Sequence, residues 1–130
     1  MERLLDFHRR RYWLTNGWCI RLRVWEVPST HARPHGLRYS FTLHDMDMAR
    51  LLGFDNAHGI SRRQAYDHRH PFRRPATLVR CDYVGADELI CDFFDEIEKA
   101  CRSEGVAFEF EAAEVELEDE DDEGLPDSAP

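Results

Sequence analysis

Eighteen residues in the middle of the chain, Gly53 to His70, read GFDNAHGISRRQAYDHRH and bring together three histidines, two aspartates, an asparagine and three arginines. Imidazole has an ordinary pKa of about 6.5, so it can give and take a proton near neutrality. With YDHRH as a strand, Tyr66, His68 and His70 project from one face and Asp67 and Arg69 from the other, which makes the two histidines neighbours. Such a pair suits either of two chemistries, joint ligation of a metal or acid and base action on a phosphodiester.

Cleavage of RNA without a metal needs a base for the 2′-hydroxyl, an acid for the leaving 5′-oxygen and cations for the charge of the phosphorane. His68 and His70 are the candidates for proton transfer, and His58 lies close by in sequence. Asp55 or Asp67 is placed to orient an imidazole. Arg62, Arg63 and Arg69 are the local cations. The competing reading is a polar strand end held by ion pairs. For His8, His31 and His35 the expectation is a surface loop.

The elements that must position these groups show in the apolar pattern. WCIRLRVWEV (Trp18 to Val27) alternates, with Trp18, Ile20, Leu22 and Val24 on one side and Cys19, Arg21, Arg23 and Trp25 on the other, as in a half-buried strand. The turn TNG precedes it, so RRYWL can pair as the earlier arm of a hairpin. LRYSFTLHD sets Leu37, Tyr39, Phe41 and Leu43 against Arg38, Ser40, Thr42 and His44. RLLGFDN follows after a short connection, giving an antiparallel meander. Gly59 to Arg63 is expected to be a turn or loop.

ADELICDFFDEIEKACR differs, because Ala86, Leu89, Ile90, Phe93, Phe94, Ile97, Ala100 and Cys101 recur at helical spacing. Asp87 and Glu88 suit the start of its dipole, Lys99 and Arg102 its end, and Gly105 a stop. The predicted fold is α+β, an antiparallel β-meander sheet with one C-terminal amphipathic helix packed on its apolar face. The opposite face, carrying Arg21, Arg23 and Arg38, is left open as a candidate nucleic-acid surface. VAFEFE adds a possible edge strand with Glu109 and Glu111 on one side.

The chain's 130 residues suit one domain with a core large enough to fold without staples. Residues 1–112 are predicted to form it, with 113–130 an acidic tail, disordered from Leu117 onward because eight of ten residues from Glu114 to Glu123 are acidic. The net charge of −9 conceals a split. Residues 1–84 carry 15 Lys+Arg against 8 Asp+Glu and residues 85–130 carry 2 against 18, so a basic body precedes an acidic end. A basic body suits a polyanion such as RNA or other nucleic acid, although two merely soluble surfaces would look the same. Cys19, Cys81, Cys91 and Cys101 form no CxxC pair and read as buried free thiols. Neither zinc-finger nor zinc-ribbon spacing is present, so no metal and no cofactor is assigned, with a zinc site on His31 and His35 or the later histidines as the alternative. Neither a signal peptide nor a membrane span is evident, which predicts a cytoplasmic protein with no membrane partner.

The blocks YWLTNGWCIRLRVWEVP, PHGLRYSFTLHD, LLGFDNAHG and YDHRH, followed by DELICDFFDEIEKA, resemble the TumE-type toxins of type II toxin-antitoxin pairs. The family pattern has a strand ending Val-Trp-x-Val-Pro, a His-Gly-x-x-Tyr block, a Tyr/Phe-Asp-Asn block, an Asp-His-Arg-His motif and a C-terminal helix rich in Leu, Asp and Phe. The resemblance runs from about Leu5 to Arg102. Its most specific parts are Phe54-Asp55-Asn56 with Gly59, then Asp67-His68-Arg69-His70. The insertion RRPATLVRCDY and the acidic extension depart from it. The resemblance implies growth inhibition relieved by a cognate antitoxin. RNA cleavage is inferred from the residues, with a non-catalytic nucleic-acid-binding protein or a module that docks an acidic partner as alternatives.

Overall fold

The alternating segments become strands of one sheet in a computed structural model that describes residues 5–29, 36–56, 67–74, 77, 79–80 and 85–116. The strands are β1 (Arg10–Leu14), β2 (Cys19–Glu26), β3 (Leu37–His44), β4 (Arg50–Asp55), β5 (His68–His70), β6 (Val79–Arg80) and β7 (Phe110–Val115), and α1 (Ala86–Glu104) lies between β6 and β7. The sheet has seven strands in the order β6-β5-β4-β3-β2-β1-β7, every neighbour antiparallel. The meander therefore runs unbroken from β1 to β6, and the helix returns the chain to the far edge.

Two turns explain the tight connections. Between β1 and β2 the Asn16 carboxamide accepts a bond from the Trp18 amide, and Gly17 takes a left-handed φ of 94° that a side chain would strain. Between β3 and β4 one Asp45 carboxylate oxygen accepts bonds from the amides of Asp47 and Ala49.

The helix packs on the inner face of the sheet. Phe93 meets Phe41 and Phe54 with ring centroids 5.5 and 5.2 Å apart, and Phe94 reaches Tyr12 on β1. Ile20, Leu22, Tyr39, Phe41, Leu43, Leu52 and Phe54 face Leu89, Phe93, Ile97 and Ala100 in one core, all buried. Removing this much apolar surface from water is the main driving force for the fold. Gly105, at φ 71°, ends the helix in the left-handed conformation and donates to the Arg102 carbonyl.

Two expectations change in detail. Cys19 and Cys101 are buried free thiols, but Cys91 sits on the exposed face of α1, because its neighbours Asp87, Glu88, Asp92 and Asp95 share the solvent side. Cys81 lies outside the described residues. The sheet also extends past Ala112, since β7 pairs with β1 as far as Val115 opposite Arg10. The proposed disorder from Leu117 onward falls outside the described residues.

Candidate functional site

Strand register lays the outer face out in rows. Arg11, Arg21, Thr42, Gly53 and His70 follow one another across β1 to β5, and beside them run Arg23, Ser40, Asp55 and His68. Each residue directly opposite another shares its face, so the histidines and the first arginines lie on the same side of the sheet, away from the helix.

At the β4–β5 end three side chains converge. His68 Nε2 stands 2.9 Å from Asp55 Oδ1, a hydrogen bond, and His70 Nε2 stands 3.8 Å from Asp55 Oδ2, close enough for charge attraction but too long for a hydrogen bond. The imidazoles meet edge to face at 5.1 Å. The two rings are not equivalent. The His68 side chain is only 2% exposed, whereas that of His70 is 12% exposed. Burial, then the charge of Arg50, hold the His70 pKa below the usual 6.5, against the pull of Asp55. That shift favours the neutral imidazole, the form able to accept a proton.

At the β1–β2 end the pattern is one carboxylate among three guanidiniums. Glu116, just past β7, meets Arg11 Nε at 3.1 Å and Arg21 Nη2 at 3.0 Å through Oε2, and Arg23 Nη2 through Oε1. Arg11 also pairs with Glu114. Glu116 arrives there because its amide bonds the Arg9 carbonyl at 2.8 Å, extending the β1–β7 ladder.

The remaining predicted residues divide by face. Asp67 and Arg69 point to the helix side, as alternation around His68 requires. Asp67 is buried and accepts a 2.8 Å bond from the Tyr39 hydroxyl, and Arg69 lies 4.2 Å over the Phe54 ring with Asp92 of α1 at 3.3 Å. Arg69 is thus not on the open face with the histidines. Arg38 is on the outer side but buried, its guanidinium 4.2 Å from the centre of the Trp25 ring, so the open arginine surface is narrower than expected. Asn56 is fully buried, accepts from the Tyr39 amide and donates to the Leu37 carbonyl, which ties the end of β4 to β3. His58, Arg62 and Arg63 lie outside the described residues, as do His31 and His35. His8 accepts the Val24 amide at 3.1 Å instead of standing free in a loop.

Three residues escaped the sequence reading. Arg11 alternates in phase with Trp13 on β1, a signal that was available. Arg50 acts on His70 from its own strand. Glu116 belongs to an acidic run whose individual members carry no local mark.

Comparison with known proteins gives one match: residues 8–100 fit the family described as Toxin TumE. No curated protein and no solved structure matches the chain.

Proposed function

We propose that this chain, which belongs to the TumE toxin family by a match over more than half its length, inhibits growth by cleaving RNA at the Asp55, His68 and His70 centre. Membership makes it the toxin component of a toxin-antitoxin system, with a cognate antitoxin as partner. Among the described residues no helix is long and apolar enough to cross a membrane.

The convergence of one carboxylate and two largely buried imidazoles on the arginine-bearing sheet face carries the reading. Neutral His70 takes the proton of a 2′-hydroxyl, and the imidazolium that forms lies beside Asp55, whose charge stabilises it. His68, held by Asp55, is the candidate acid for the leaving 5′-oxygen. Arg50, whose charge already acts on His70, is placed to meet the charge of the phosphorane, while Arg11, Arg21 and Arg23, three strands away, suit the backbone of the bound strand. Asp67 supports β5 from behind through Tyr39. His58, Arg62 and Arg63 stand in the segment joining β4 to β5 and belong to the same proposal by sequence position alone.

A second reading has its own observation. One ligand atom from each of Asp55, His68 and His70 lies within 4.8 Å of the others, a set that suits a divalent transition metal. The decisive experiment is cleavage of RNA and of its 2′-deoxy counterpart with and without EDTA. Acid-base action predicts activity that survives EDTA and requires the 2′-hydroxyl. Loss in EDTA with recovery on added Zn²⁺ or Mn²⁺ favours the metal, and absence of cleavage with growth inhibition intact in His70→Ala removes catalysis from this centre.

A further inference from the structure

We infer that Arg11, Arg21 and Arg23 form a binding site for the phosphodiester backbone of single-stranded nucleic acid, and that Glu116 occupies this site as a carboxylate stand-in from the same chain. The ligand class rests on the RNA reading above; the site itself does not depend on any cleavage chemistry.

Charge is the first ground. Three permanently charged guanidiniums converge on one carboxylate, and Arg11 also pairs with Glu114. Arg21 grips one Glu116 oxygen through both Nε and Nη2, each at 3.0 Å, a charge-assisted contact that a phosphate oxygen can equally receive. A phosphodiester presents two non-bridging oxygens and one negative charge, which matches what Glu116 presents to Arg11, Arg21 and Arg23.

Position is the second ground. The rows that begin at Arg21 and Arg23 end at His70 and His68, three strand spacings away, or about 14 Å. Between them stand Ser40, Thr42, Gly53 and Asp55, with the Arg50 side chain beside Gly53, so a further cation lies along the path of a chain crossing the strands. Trp13 and Trp25 flank the arginines on the same face, half-buried, and aromatic faces beside cations suit unpaired bases better than an acidic peptide.

Glu116 is therefore a tethered competitor. The β1–β7 ladder presents the Glu116 carboxylate at the three guanidiniums, so a polyanion must displace that side chain in order to bind.

The test uses the full chain and a single-stranded 2′-deoxy oligonucleotide, which binds without offering the 2′-hydroxyl. Glu116→Gln is expected to bind it roughly tenfold more tightly at low salt and to steepen the fall of affinity with salt by roughly one to three released counterions. Glu98→Gln makes the same charge change on the helix side and is expected to leave that slope unchanged. In the wild-type protein, saturation with the oligonucleotide should shift the NMR signals of the Glu116 side chain, because displacement takes its carboxylate off the three guanidiniums. This second measurement decides alone if Glu116→Gln does not fold. Oligonucleotide binding that is indifferent to Glu116→Gln, or unchanged Glu116 side-chain signals at saturation, overturns the competitor site while leaving the cleavage reading standing. Absence of binding by every variant overturns the site as well as the competitor, and the cleavage reading is then tested on RNA alone.

Discussion

The two ends of the outer face are each built around one carboxylate, yet they are suited to different work. Asp55 sits between two imidazoles, groups whose charge changes near neutral pH. Glu116 sits among three guanidiniums, groups whose charge does not change at any physiological pH. Proton transfer belongs to the first kind of cluster and electrostatic grip to the second. One sheet face can hold both because alternation puts them on the same side while register keeps them three strands apart.

The sharpest way to separate the two ends is to disable each and ask what fails. His70→Ala is expected to lower the cleavage rate by roughly a hundredfold or more with oligonucleotide binding retained. Arg23→Gln should instead weaken binding and flatten its salt dependence. Single-turnover cleavage beside equilibrium binding reads both quantities, and a His70→Ala variant that loses affinity but keeps its rate would erase the distinction.

Stability gives the next contrast. Replacing Arg11, Arg21 and Arg23 together by Gln strips Glu116, whose side chain is 9% exposed, of its charged partners. A loss of about 1.5–3 kcal/mol, the scale of a charge-assisted hydrogen bond, is expected in denaturant titration. This differs from an arginine face that merely meets solvent, which would leave the fold indifferent.

Behind the imidazole end, Tyr39→Phe should cost about 1–3 kcal/mol by leaving the buried Asp67 carboxylate without the hydroxyl bond. Asp67→Asn, which keeps an acceptor, should cost less. Cleavage measured well below the melting temperature should change less in both than in His70→Ala, and an equal loss would place Asp67 in the chemistry itself.

The smallest effect expected is one of pH. The folded-state pKa of His70 lies below its unfolded value, so as pH falls through about 6.5 the unfolded chain takes up a proton that the folded one refuses. Stability is thus lost from about pH 6.5 downward and is unaffected above. His44, also pushed down by burial, has the same sign. His70→Asn should remove part of the acid sensitivity and leave the His44 share, checked by melting temperature against pH. The same shift puts the acid limb of the cleavage profile below pH 6.5, which would not hold if His70 had to be protonated to act.

Several parts of this architecture were written in short-range pattern. Period-two alternation through Cys19–Glu26 and Leu37–His44 separates the apolar set from the arginines and hydroxyls, and helical spacing from Ala86 to Cys101 names the helix and its buried stripe. Alternation also makes His68 and His70 neighbours and sends Asp67 and Arg69 to the other side. Those properties depend on residues two to four positions apart, which the chain itself holds at set distances.

Tertiary structure alone decided what crosses between strands. Asp55 meets His68 only because β4 pairs with β5 in one register, and a slip of one residue would set them on opposite faces. Arg69 gives its charge to Asp92 because α1 crosses above β5, and Glu116 reaches Arg11, Arg21 and Arg23 because the helix carries the chain back to the edge beside β1. Local propensity contains no information on which distant segments become neighbours. That choice follows from burying the whole apolar face at once, so the partners of the two carboxylates are consequences of packing and not of spacing.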